Sequence, residues 1–190
     1  MSNKYITDQS FQNIDFSERG NEKTDYENCT FSACIFSNTN LGEFCFEDCE
    51  FENCDFSNTK ILNTAFKNVQ FKACKLIGLQ FDECNPFLLE LKFNHCILNY
   101  SSFYQRKLKA TKFNKCTLHE VDFTEADLNK ANFTECDFSG AMFGRTNLRQ
   151  ANFKSSYNFS IDPEQNQIAG AKFSLDGLPG LLQKYKIVVD

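Results

Sequence analysis

The chain has 190 residues, with no tryptophan, three prolines and two histidines. It also lacks a long apolar run: Phe87–Leu89 and Ile187–Val189 are typical of the longest. A helix crossing a bilayer needs about 20 such residues, so no membrane span is expected. The opening stretch MSNKYITDQSFQNIDFSERG has no apolar core of the kind a secretory signal carries. The expected location is therefore cytoplasmic, with reduced thiols. His95 and His119 come without a nucleophile–base pair, a phosphate-binding glycine loop or metal-ligand spacing. This points away from an enzyme and away from any cofactor or metal. A pI near 5.1 and the lack of a basic stripe argue against direct nucleic-acid binding.

Phenylalanine is abundant instead, at 22 residues, and so is cysteine, at 10. The phenylalanines follow a rule. Every fifth position from Tyr26 to Phe81 is large and apolar, and the same holds from Phe93 to Phe153. Positions two before each centre are mostly Cys, Ala, Thr, Ser or Val, and the rest are mostly polar. Five is the period of neither a helix nor a strand. Two of every five side chains face inward, and the chain must turn a corner every five residues. Four corners close a square coil of about twenty residues, whose neighbours stack at about 4.8 Å. The expectation is an all-β solenoid of about six or seven coils and about 30 Å of rod.

Spacings of twenty then stack Cys34, Cys54 and Cys74, stack Cys96, Cys116 and Cys136, and pair Cys29 with Cys49. These cysteines read as structural filler, with Cys45 outside the core. Phe44 and Arg106 occupy small-residue positions; Arg106 is expected to distort its corner or swing outward. The phase breaks over residues 82–92, where Phe81 and Phe93 are separated by twelve positions rather than ten. Pro86, Phe87 and Leu88 there read equally as a contact loop or as a bulge that hides its own apolar residues. The division expected is an N-terminal cap or tail at 1–13, a rod at 14–173, and a helix and tail at 174–190. In the last segment Asp176 is a candidate N-cap, with Pro179 in the first turn. Leu178, Leu181, Leu182 and Tyr185 form an apolar stripe, and Ile187 to Val189 suit a closing strand. With Ile187 and Val189 the stripe is a candidate homodimer interface as well as an end cap.

Charge is unevenly placed. The net charge of −5 divides into −7 over residues 1–100 (15 acids, 8 bases) and +2 over residues 101–190 (10 acids, 12 bases). Asp25 and seven further acids lie between Lys23 and Lys60 with no base among them: Glu27, Glu43, Glu47, Asp48, Glu50, Glu52 and Asp55. Coil geometry stacks Glu27 on Glu47 with Asp48 beside them, and puts Glu50, Glu52 and Asp55 on the next two faces. These seven are the candidate partner-binding surface, set against the plainer reading of a solvated face that keeps a rod soluble.

The units ADLNK, ANFTE, CDFSG and ANFKS resemble the repeat of pentapeptide-repeat proteins. The resemblance covers about residues 14–173 and implies a right-handed quadrilateral β-helix. The ending AGAKFSLDGLPGLLQKYKIVVD is similar to the capping helix and tail of the quinolone-resistance branch. That resemblance implies a homodimer through the C-terminal helix and a DNA-mimicking surface. The implied partner is DNA gyrase or topoisomerase IV, protected from quinolones or toxins. The sequence departs from that branch in having only the short break at 82–92 in place of two sizeable loops, and in its slightly basic C-terminal half. The other reading is a non-catalytic protein-interaction scaffold with a different partner.

Overall fold

A chain that bends every five residues needs a backbone that can reverse direction at each bend. In the computed structural model, which describes residues 4–17 and 23–188, most bends contain a residue in the left-handed region. Asn28 (φ 51°), Asn38 (φ 57°), Asn53 (φ 54°) and Asn68 (φ 51°) are examples. Asparagine tolerates this conformation better than other side chains with a Cβ, which explains its recurrence at the corners. Between corners, three or four residues are extended and pair with the coils above and below.

The result is a parallel β-solenoid of four-sided coils. On the first face, β1 (Lys4–Thr7), β3 (Thr24–Glu27), β5 (Cys45–Glu47) and β7 (Ala65–Lys67) pair in that order. On the second face the order is β2 (Ser10–Gln12), β4 (Thr30–Ser32), β6 (Glu50–Glu52), β8 (Val69–Lys72), β9 (Leu91–Asn94), β10 (Lys112–Asn114) and β11 (Asn132–Thr134). The other two faces are held by single bridges, such as Ile35 to Asp55 and Asn40 to Lys60. The register is twenty residues, as in Phe31 opposite Phe51. It becomes twenty-two only across the break, where Val69 lies opposite Leu91.

The core is a set of stacked rings. Phe51 lies between Phe31, with ring centroids 4.6 Å apart, and Phe71, at 5.2 Å; both pairs are within 13° of parallel. Adjacent faces meet edge to face, as Phe51 does with Phe56 at 85°. Both arrangements suit the ring quadrupole. Phe44 is accommodated in its small slot, buried and stacked on Phe46. Arg106 is not: it swings to the edge, where Nη1 donates to the Cys84 carbonyl at 3.4 Å.

The structure changes several expectations. Residues 4–13 are not a tail: β1 pairs with β3 and β2 with β4, forming two sides of a further coil around Ile6 and Phe11. The phase break is narrower than 82–92. Phe81 still stacks on Phe103 at 4.6 Å, and Asn85 still bridges Ala65. Only residues 86–89 leave the coil; the Glu90 N–H donates to the Phe66 carbonyl at 3.2 Å and its carbonyl accepts from the Val69 N–H at 2.9 Å. The two cysteine ladders are one. The two-residue insertion turns the spacing from Cys74 to Cys96 into one coil step, as the Cys96 Sγ bond to the Phe71 carbonyl at 3.4 Å shows. Cys34, Cys54, Cys74, Cys96, Cys116 and Cys136 therefore run along one corner, all buried and free.

The C-terminal segment also differs. Its α-helix, α1, spans only Pro179–Leu182, followed by a 3₁₀ turn at Gln183–Tyr185. Leu178, not Asp176, is the N-cap residue, and no side chain caps it. Ile187 and Val188 form no strand; Val189 lies outside the described residues.

Candidate functional site

Because outward side chains repeat every twenty residues, each face carries columns of side chains whose charge is set coil by coil. On the first face the column changes sign along the rod. Glu27 and Glu47 are register partners, and Glu47 is in turn the partner of Lys67. Thr7, Asp8, Glu27, Asn28 and Asp48 line a depression of about 380 Å³. Asp8 went unnoticed in the sequence because its coil did not show there. Asn28 Nδ2 donates to Asp8 Oδ1 and Asn68 Nδ2 to Asp48 Oδ1, each at 2.6 Å.

Glu50 and Glu52 stand on the second face and Asp55 on the third, as the coil geometry requires. Glu43 lies at a corner with φ 66°. The column is partly neutralised from neighbouring coils. Lys67 Nζ lies 2.8 Å from Glu47 Oε2, Lys72 Nζ lies 2.5 Å from Glu50 Oε1, and Lys23 pairs with Glu43. The Glu47 carboxylate raises the Lys67 ammonium above its usual range. Tyr5 Oη donates to Glu27. Asp55 Oδ1 accepts the Ser57 N–H at 2.8 Å.

The loop at the break is exposed. Phe87 is 66% and Leu88 62% exposed, Pro86 is exposed, and Leu88 adopts φ 57°. This is the corner conformation of the regular coils, adopted here by a leucine, which tolerates it less well than the asparagines do. Past the loop, a groove of about 680 Å³ runs between Leu88–Leu91 and the next coils. Lys67, Lys92, Lys107, Lys109 and Lys112 line it together with Glu47 and Glu90. The run KLKATK at 107–112 was visible in the sequence. That Lys67 and Lys92 join it was not, because the insertion sets which coils meet there.

At the rod's end, Leu178, Tyr185 and Ile187 are exposed, while Leu181 packs against the core and Leu182 is half-buried. The candidate interface is thus divided between an inner contact with the rod and an outer apolar surface. Lys184 Nζ fixes the segment by reaching Asp162 Oδ1 at 2.8 Å and Glu164 Oε2 at 2.6 Å.

Among the described residues, His119 Nε2 lies 2.9 Å from Asp137 Oδ2, and Ser139 Oγ donates to Asp137 Oδ1 at 2.8 Å. Nucleophilic catalysis requires the imidazole between the hydroxyl and the carboxylate, and here the carboxylate is in the middle. Burial pushes the Cys49 and Cys84 thiols up to about 12, which keeps them protonated and unreactive at neutral pH. Among the described residues, no three His, Cys, Asp or Glu side chains gather to hold a metal ion, and no helix is long and apolar enough to cross a membrane.

Comparison with known proteins follows the fold. The family model for a pentapeptide repeat region matches residues 24–86 and 80–153. No curated protein matches the sequence significantly. Among solved structures, a trypsin-treated form of QnrB1, a plasmid-mediated fluoroquinolone resistance protein, is similar over 98% of this chain and 92% of its own. The identity is 20% and the TM-score 0.58. HetL, a pentapeptide repeat protein involved in heterocyst differentiation regulation from the cyanobacterium Nostoc, is similar over 90% of this chain and 88% of its own. There the identity is 17% and the TM-score 0.49. The likeness to QnrB1 at such identity establishes the fold and no more.

Proposed function

Because the chain belongs to the pentapeptide-repeat family, we propose that it is a non-catalytic binding rod whose partner is a type II topoisomerase. It would modulate inhibition of DNA gyrase or topoisomerase IV by quinolones or toxins, in the cytoplasm and without a cofactor. That partner class is what the resemblance of the repeat and the C-terminal ending implies. The observation that carries it to this chain is the acidic pole, where Asp8, Glu27, Glu47 and Asp48 share one face and Glu50 and Glu52 the next. An enzyme that grips duplex DNA through lysines and arginines is attracted to carboxylates spaced along a rod, without reading any base. In this reading the outer apolar residues Leu178, Tyr185 and Ile187 form the seam of a two-fold homodimer, with Leu181 and Leu182 beneath them.

The test is a gyrase supercoiling assay with and without ciprofloxacin, titrated with the chain. Rescue of supercoiling, or inhibition without drug, is expected. Reversing Glu27, Glu47, Asp48, Glu50, Glu52 and Asp55 to Lys should abolish the effect while the rod stays folded. Unchanged protection by that variant would show that the acidic pole is not the contact. A second reading, a scaffold for another protein, is favoured by the lysines that already neutralise Glu43, Glu47 and Glu50. It predicts no effect on supercoiling and a pull-down that returns other proteins.

A further inference from the structure

The lysine groove has the opposite charge to the acidic pole, and among the described residues three of its lysines, Lys107, Lys109 and Lys112, make no ion pair that would serve the fold. Lys92 and Lys112 are direct partners on adjacent strands, where like charges repel. The same column continues as Asn132 and Asn152, joined by a hydrogen bond at 2.7 Å, so a neutral residue serves the solenoid better. Among the described residues, Lys107, Lys109 and Lys112 have no carboxylate within ion-pair distance, whereas Lys23, Lys67, Lys72, Lys92, Lys115 and Lys184 each have one. The first face is also interrupted here. Ala65 bridges Asn85 and Lys107 bridges Asp127, but no bridge joins Asn85 to Lys107. The insertion opens the coil and leaves the half-buried Leu89 and the exposed Leu88 as one wall of the groove.

We propose that this groove is a docking site for a short acidic peptide segment of a partner protein. Its carboxylates would sit on Lys107, Lys109 and Lys112, and one apolar side chain would rest against Leu88 and Leu89. Three features favour a peptide over a nucleic acid. The chain carries a net charge of −5, which repels a long polyanion. Glu47 and Glu90 are themselves lining residues, paired with Lys67 and Lys92, and limit the length of negative charge the groove accepts. The leucine wall offers nothing to a phosphate but suits a peptide side chain. The site lies apart from the acidic pole, so this proposal does not depend on the topoisomerase reading.

The experiment is fluorescence anisotropy of the full chain with a short labelled peptide of glutamates flanking two leucines. Binding is expected at low salt, weakening as salt rises. Lys107→Glu with Lys109→Glu should weaken it about tenfold or more. Leu88→Asn, which suits the left-handed backbone, should weaken it about threefold, but only for the leucine-containing peptide. Lys75→Glu, on the third face and away from the groove, should leave it unchanged. Absence of binding, or binding indifferent to the Lys107 and Lys109 changes, would overturn the proposal. Equal binding of a glutamate–serine peptide, or equal displacement by inorganic polyphosphate or an oligonucleotide, would overturn it in favour of a general polyanion site. Loss of self-association in the Lys107→Glu, Lys109→Glu variant, seen by sedimentation, would assign the groove to a second copy of the chain instead.

Discussion

The middle of the rod and its C-terminal end are built from the same alphabet but stabilised in different ways. In the middle, large inward side chains stack on large ones above and below, so one kind of contact is repeated coil after coil. At the end, α1 sits on the last coil through contacts made once. The Ile161 N–H donates to the Gly180 carbonyl at 3.0 Å, Lys184 bridges Asp162 and Glu164, and Tyr185 Oη donates to Glu164 Oε1 at 2.9 Å. A periodic core tolerates local imperfection such as Phe44, because neighbours share the load. A cap tolerates little, because each of its contacts has no duplicate.

The sharpest way to break the comparison is to delete one ring at each place. Phe51 is fully buried with a parallel ring on both sides. Phe51→Ala should cost about 3–5 kcal/mol, as large-to-small changes in tight cores do. Phe173 is only half-buried, with a parallel ring on one side, Phe153 at 5.3 Å. Phe173→Ala should cost less than half as much. Denaturant unfolding of both variants measures the difference; equal losses would mean that the stack is no stronger in the middle than at the end.

Next in size is an insult confined to the cap. A Cβ at Gly180 would lie 2.3 Å from the Phe159 carbonyl oxygen and 2.8 Å from the Phe159 ring. Backbone cannot yield by that much, so Gly180→Ala should lift α1 from the coil at a cost of roughly 1–3 kcal/mol. Limited proteolysis should then cut within 175–188 and spare the coils. A variant as resistant as the parent would show that α1 does not dock as described.

A smaller effect separates the two regions by pH. Lys184 holds the carboxyls of Asp162 and Glu164 below the usual carboxylate range. A depressed folded value means that the ion pairs contribute fully above the ordinary range and are lost as pH falls through the depressed values. The protection factors of the α1 amides, taken relative to the intrinsic exchange rate at each pH, should therefore fall on acidification to about pH 3 before those of the coils do. In Lys184→Met that early step should be absent, with α1 exchanging faster already at neutral pH.

What the sequence made legible divides along the same line. The coils were readable because the interior repeats with them: Phe31, Phe51 and Phe71 announce their own stacking. Phe11 opens that column, but residues 19–23 blur the phase and hid the first coil. The acidic columns followed from the repeat, since Glu27 and Glu47 stand twenty apart. The single cysteine column and the lysine groove did not follow, because both depend on where two inserted residues are placed. The cap was legible only as an apolar stripe. Its helix length and its N-cap at Leu178 are set by contacts with Phe159 and Asp162 that no local pattern encodes.

The smallest effect concerns chemistry rather than stability. Nine of the ten cysteines are buried, and Cys45, on the outward side of β5, is half-buried. Hydrogen bonding from Cys54, then burial, pushes the Cys74 thiol up, and burial, with a smaller contribution from Cys54, raises Cys34. Thiolate is the reactive form, so Cys34, Cys49, Cys74 and Cys84 are doubly protected, by access and by protonation, whereas Cys54, Cys96 and Cys136, lowered by hydrogen bonds from neighbouring cysteines, are protected by access alone. A thiol reagent such as Ellman's should modify one residue per folded chain and all ten after denaturation. Burial raises Cys45 as well, so even that reaction should be slow at neutral pH and quicken in alkali. Cys45→Ser should abolish the native phase and leave the unfolding midpoint unchanged. A second reactive thiol in the folded chain would place a gap in the column that the repeat closes on paper, and its position, read by mass spectrometry, would say which coil opens first.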